Sequence, residues 1–244
     1  NLDLTAGTLE VGGTVSLDGI NLGSGSLLRL NSDTVLSSSN PFELSTIDLQ
    51  RHRLKLATEA TDITLKGNLI IEIPGEEGFD TGNADLNVDG SLTVKTGFLS
   101  SSGGTLVFSG PAQFTPLSSA LELKDTILDI RSSLQFSSLL RIEGNTGFVL
   151  NGNALNLSGA SIELGGTLSL DGVSTDSSTH LKLLDDSSIS SNGTIPLGRL
   201  LLNGHNLTLS TPETELSLLG LGLPETPDTS GATTGVEMNP VIDS

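Results

Sequence analysis

Cysteine, tryptophan and tyrosine are absent from this 244-residue chain, and phenylalanine occurs only seven times. Without cysteine there is no disulfide scaffold, and the redox compartment is left open. Without indoles and phenols there is no aromatic platform for stacking a sugar ring and little bulk to fill a thick globular core. Basic residues are scarce: eleven Lys and Arg stand against 29 Asp and Glu, for a net charge of −18. Such a surface excludes nucleic acid as a partner and favours solubility. The best apolar run, Leu218–Leu223, is far too short to span a membrane. No initiator Met or signal peptide opens the chain, so Asn1 is expected to begin a processed product or an excised fragment.

What is present is repetition. The segment LDLTAGTLEVGGTVSLDGI from Leu2 returns as LNLSGASIELGGTLSLDGV from Leu155, an offset of 153 residues. The alignment runs without a gap to Leu65 on Leu218, with about two dozen identities over 64 positions. It places His52 on His205 and Thr61 on Thr214. The chain thus holds one full long repeat, about 1–153, and part of a second, about 154–218. Shorter periods lie within it. Apolar-x-apolar triplets at Leu2-Leu4, Leu28-Leu30 and Leu54-Leu56 are 26 apart, as are their copies at Leu155-Leu157, Leu181-Leu183 and Leu207-Leu209. Ile63 to Ile71 matches Leu86 to Val94 at a spacing of 23.

Alternating apolar and polar residues in runs of three to five, punctuated by Gly, Asn, Asp and Ser, signal short strands and turns rather than helices. About three strands per 23–26 residues describe one triangular coil, giving an all-β, right-handed parallel β-helix of about nine coils over residues 1–218. A strict six-residue rhythm, the mark of the left-handed form, is missing. Leu4, Leu30 and Leu56 are expected to form one interior stack, and Leu157, Leu183 and Leu209 its counterpart. Gly13, Gly67, Gly90 and Gly166 are expected at bends where a Cβ would clash.

The phrases TLEVGGTVSLDG, SIELGGTLSLDG and DLNVDGSLTVKTG resemble the β-helical shafts of bacterial autotransporter passengers and filamentous-haemagglutinin-type surface proteins, across nearly all of Leu2 to Leu218. The resemblance implies a rigid extracellular or cell-surface stalk and transfers no binding or catalytic residue.

Candidate chemistry is sparse. Arg51-His52-Arg53 is the densest positive cluster and could meet an anionic sugar or a subunit, but its copy reads Gly204-His205-Asn206, which favours a turn with solvated charge. No carboxylate or second His recurs beside these histidines at ligand spacing, which argues against a metal. Asn83, Asp85 and Asn87 alternate so as to share a strand face and are the weak calcium candidates, within an acidic stretch that includes Glu72, Glu76, Glu77, Asp80 and Asp89. No other cofactor is expected. Pro74 to Asn83 is the expected protrusion from the shaft, where an adhesin would contact a glycan or host protein.

A β-helical polysaccharide lyase or hydrolase is the enzymatic alternative. The repeated Asp18 and Asp171 read as turn acids, and the paired Glu10 and Glu163 as outward strand residues, so no catalytic residue is assigned. Asn156, Asn192 and Asn206 are formal glycosylation acceptors. Residues 219–244, with Pro224, Pro227 and Pro240, break the repeat and read as a cap, linker or docking tail. The expected role is a fibre segment whose partner is itself, head to tail, or adjacent repeats of one polypeptide.

Overall fold

The computed structural model describes residues 2–219; the expected cap, linker or tail lies almost wholly outside them. The described chain is a parallel β-solenoid of about ten coils, and no helix occurs within it. Every strand pairing is parallel, as expected when each turn of the chain lays its strands on those of the turn before.

Three columns of strands make the walls. On face A the inward residues run Leu9, Leu28, Ile47, Leu69, Leu92 and Ala112. The Phe114 and Phe136 rings, 4.8 Å apart, carry that column to Leu134, Leu155 and Val173. Face B runs from Leu54 through Phe79, Leu99, Leu121, Leu140, Ile162 and Leu181 to Leu200. Face C holds Phe42, Ile63, Leu86, Leu106, Leu128 and Phe148, and later Leu168, Ile189 and Leu209. These inward positions are mostly buried and form one continuous core. A column of leucines and isoleucines, each stacked on its like, fills a narrow interior that larger aromatics would overpack.

The coil is shorter than the triplet spacing suggests. Steps range from 18 residues (Leu155 to Val173) to 25 (Leu54 to Phe79), and the 23-residue match of Ile63 to Leu86 is a true coil step. The 26-residue spacing is one coil plus one face. Leu30 therefore pairs with Val11 on face A, while Leu56 pairs with Leu36 on face B. Leu4, Leu30 and Leu56 do not form one stack, and neither do Leu157, Leu183 and Leu209; each trio puts one residue on each wall. All six point inward. Leu30, Leu56, Leu157 and Leu183 are buried, whereas Leu4 and Leu209, in the first and last described turns of their column, are only partly covered.

The long repeat obeys the same geometry. Leu9 is on face A, and its copy Ile162 is on face B. Likewise Leu36 on face B becomes Ile189 on face C. The 153-residue repeat is thus seven coils and one face, so successive copies are turned by one wall.

Glycines act at bends and close approaches. Gly13, inside the strand Thr8–Ser16, has φ 74°, a conformation that disfavours any Cβ. Gly67, Gly90 and Gly110 stack: a Cβ on Gly90 would lie 1.8 Å from the Gly67 oxygen, and one on Gly110 would lie 1.8 Å from the Gly90 oxygen. Gly166 is similarly pressed on the Gly144 oxygen, at 2.1 Å. The expected protrusion near Pro74 begins within the strand Leu69–Asp80, where five steps from Glu72 to Glu77 face only two from Thr96 to Phe98; the side chains of residues 74–77 lie outside the described ones. Extra residues are absorbed as a register irregularity within the sheet.

Leu30 is fully buried. Leu30→Asp should lose at least about 3–5 kcal/mol, because an unpaired carboxylate enters a dry core. Thermal denaturation checks this; a melting curve like the parent's would place Leu30 outside the core.

Candidate functional site

The outward residues of one column sit one strand spacing apart, so like charges stacked there repel and opposite charges attract. The sequence alternates them. On face A, Arg29 reaches Glu10 on one side at 3.4 Å and Asp48 on the other at 3.1 Å. On face B, Arg141 lies between Glu122 at 2.7 Å and Glu163 at 2.8 Å, and Lys182 meets Glu163 at 2.8 Å. Glu10 and Arg29 are the repeat counterparts of Glu163 and Lys182, so the same ladder recurs one wall further round. Burial alone would push the Glu163 carboxyl up, but hydrogen bonds from Lys182 and Arg141, and their charges, outweigh it and hold its pKa below the ordinary value. Asp48 shows the same balance, with burial opposed by Gln50 and Arg29.

Of the acidic stretch, the side chains of Glu76 and Glu77 lie outside the described ones, and the others named are engaged. Glu72 pairs with Lys95, Asp80 with Lys55 and Asp89 with Lys66. Asn83, Asp85 and Asn87 do share the outward side of their strand region. However, Asp85 accepts the Thr105 N–H at 2.6 Å and Asn87 accepts the Ser109 hydroxyl at 3.5 Å. Among the described residues, the acidic and histidine side chains that close within one ion's reach are Asp185, Asp186 and His205, all within 4.8 Å. Asn156 caps its own turn by accepting the Ser158 N–H, Asn206 bonds Asp186, and Asn192 is exposed.

The histidine corners correct the expectation that no carboxylate recurs beside them. His52 lies 3.7 Å from Asp33, and His205 lies 3.9 Å from Asp186. Asp33 also accepts the Arg53 N–H at 3.0 Å, and Asp186 the Asn206 N–H at 2.8 Å. That N–H holds the Asp186 carboxyl below its ordinary pKa. Local ligand spacing does not show the pairing, because the partners are separated by 19 residues, a coil apart. Asp185, the third member of the cluster, is Ser32 in the first copy.

The same corners carry two successive residues in the left-handed region. His52 N–H bonds Leu49 O and His205 N–H bonds Leu202 O, each closing a two-residue turn. Both central residues have positive φ: 49° and 67° at Gln50 and Arg51, 51° and 83° at Asn203 and Gly204. A third such turn, closed by Asn153 on Leu150, has Asn151 and Gly152 at its centre. Asn-Gly is what a turn with two left-handed residues favours. Gln-Arg is not, and each such residue costs about 1–2 kcal/mol of strain. The Gln50 side chain is tied down by its 2.7 Å bond to Asp48. Arg51 is exposed and has no ion pair or hydrogen-bonded partner among the described residues. It lines a cleft of about 520 Å³ on face A, beside Asp48, Asn68, Glu72, Lys95 and the half-exposed Ile70.

With a folded pKa depressed below the unfolded value, Glu163 stabilises fully above the ordinary glutamate range and loses that contribution as pH falls through the folded value. Glu163→Gln should be less stable than the parent at pH 7, by about 1 kcal/mol for a partly exposed ladder. It should also lose less stability below about pH 4.3. Melting curves across pH 3–7 check this; superimposable profiles would show the ladder to be energetically idle. Comparison with family models, with curated proteins and with solved structures finds no match to this chain.

Proposed function

We propose that the chain is a structural shaft, a segment of an extracellular or cell-surface fibre continued by further copies of its repeat or by head-to-tail stacking. One observation carries this reading: the two copies of the repeat keep their interior and corner bonds, whereas the outward residues diverge beyond the Glu10–Arg29 and Asp33–His52 pairs. Ser26 bonds Leu4 O, and its copy Thr179 bonds Leu157 O. Thr61 receives the Ser38 N–H and meets Thr58, as Thr214 receives the Ser191 N–H and meets Thr211. Asp48, Arg51 and Arg53, by contrast, become Leu201, Gly204 and Asn206. Selection for shape has this signature, and the one-wall rotation keeps outward features of successive copies off a common face.

The terminal coils of a solenoid present unpaired backbone groups, which another copy stacked in register would satisfy. A head-to-tail contact that does not close on itself propagates into a rod. The resemblance to autotransporter and haemagglutinin-type shafts supports the same role, and the reading needs no cofactor and no catalytic residue. Among the described residues no helix is long and apolar enough to cross a membrane.

Ten coils at one strand spacing make a rod of about 48 Å. Electron microscopy of the native material should therefore show rods well beyond that length, and the complete coding region should continue the 153-residue repeat. Compact, unassembled particles from a gene encoding only this segment would defeat the proposal.

A further inference from the structure

We propose that the face A cleft beside Arg51 is a binding site for an acidic saccharide, with the Arg51 guanidinium taking the ligand's carboxylate or sulfate. The turn at this corner departs from backbone preference. At the same turn the second repeat uses Asn203-Gly204, and the turn at Leu150 uses Asn151-Gly152, whereas this corner holds Gln50-Arg51 with both residues at positive φ. A strained conformation that persists where the relaxed solution exists twice in the same chain points to the side chains it presents.

Those side chains make a site. Arg51 has no partner among the described residues in a chain whose other cations are engaged, and it stands on the rim of a cleft of about 520 Å³. A guanidinium presents a rigid fork that matches carboxylate or sulfate. Asp48, Asn68 and Glu72 supply oxygens and an amide for hydroxyl groups, and Ile70, 47% exposed, offers an apolar floor for one face of a sugar ring. The second repeat lacks Asp48 as well as Arg51, having Leu201 and Gly204 instead, so the site is specific to the first.

An acidic peptide fits less well. The strands along this wall are hydrogen-bonded to the coils on both sides and leave no edge for strand addition. A run of carboxylates would also meet the field of a chain carrying −18. A hydroxyl-rich ligand with isolated acidic groups satisfies both constraints.

The inference does not depend on the shaft reading, which imaging tests separately. Its test uses the intact chain against immobilised oligosaccharides of four kinds: terminated by sialic acid, containing glucuronate, bearing sulfate, and neutral. The parent should bind at least one acidic kind and not the neutral one, and the carboxylated and sulfated arms identify the anion. Gln50→Asn with Arg51→Gly, which installs the turn of the second repeat, should raise the melting temperature by about 2–6 °C and weaken that binding at least about tenfold. Absence of binding to every acidic probe, equal binding to the neutral one, or undiminished binding by the double variant would overturn the proposal.

Discussion

Every feature of this molecule follows from parallel stacking of one coil on the next at the spacing of a single hydrogen-bonded strand. That constraint gives each residue an upper and a lower neighbour at almost the same position, so whatever is tolerated at one level must be tolerated by its own repetition. Inside, the workable answer is an aliphatic column: leucine on leucine on isoleucine, each burial stabilising by about 1.5–3 kcal/mol. Where the backbones of successive coils press together the answer is glycine, as in the stack of Gly67, Gly90 and Gly110.

Outside, the same repetition is dangerous for charge. A surface with 29 acids and eleven bases would stack carboxylate on carboxylate if its charges fell at random on one column. Instead the few cations are inserted between acids, as Arg29 is between Glu10 and Asp48, and Arg141 between Glu122 and Glu163. Hydroxyls do comparable work at the corners. Ser26, Thr61, Thr179 and Thr214 turn inward and satisfy backbone groups of the neighbouring coil that no strand would reach. Against this economy Arg51 stands out, without a partner among the described residues and set in a turn whose two central residues have positive φ.

The relation between the two periods explains why the molecule can be regular along its axis and irregular on its surface. Because 26 residues is one coil plus one face, the conserved triplets wind around the rod instead of climbing one wall. The 153-residue repeat behaves in the same way over seven coils. The Glu10–Arg29 pair and its copy Glu163–Lys182 thus lie on adjacent walls, and a feature confined to one copy occupies a single face of the solenoid.

Strand identity, inward and outward alternation, the solenoid class and the long repeat were all legible in the residues, because side-chain period and turn chemistry are local properties. So was the inward direction of all six leucines from Leu4 to Leu209. Their wall was not. A repeated spacing of 26 fits a coil of 26 or a shorter coil plus a face equally well, and only the register of Leu30 on Val11 and Leu56 on Leu36 decides between them. The meeting of His52 with Asp33, a coil apart in sequence, depends on that same register. So does the cleft that gathers Asp48, Arg51, Ile70 and Lys95 from successive coils. The sequence by itself determined what each residue can do with its immediate neighbours; which residues become neighbours was decided by coil length, and coil length emerges only when every corner and every strand pairing is satisfied together.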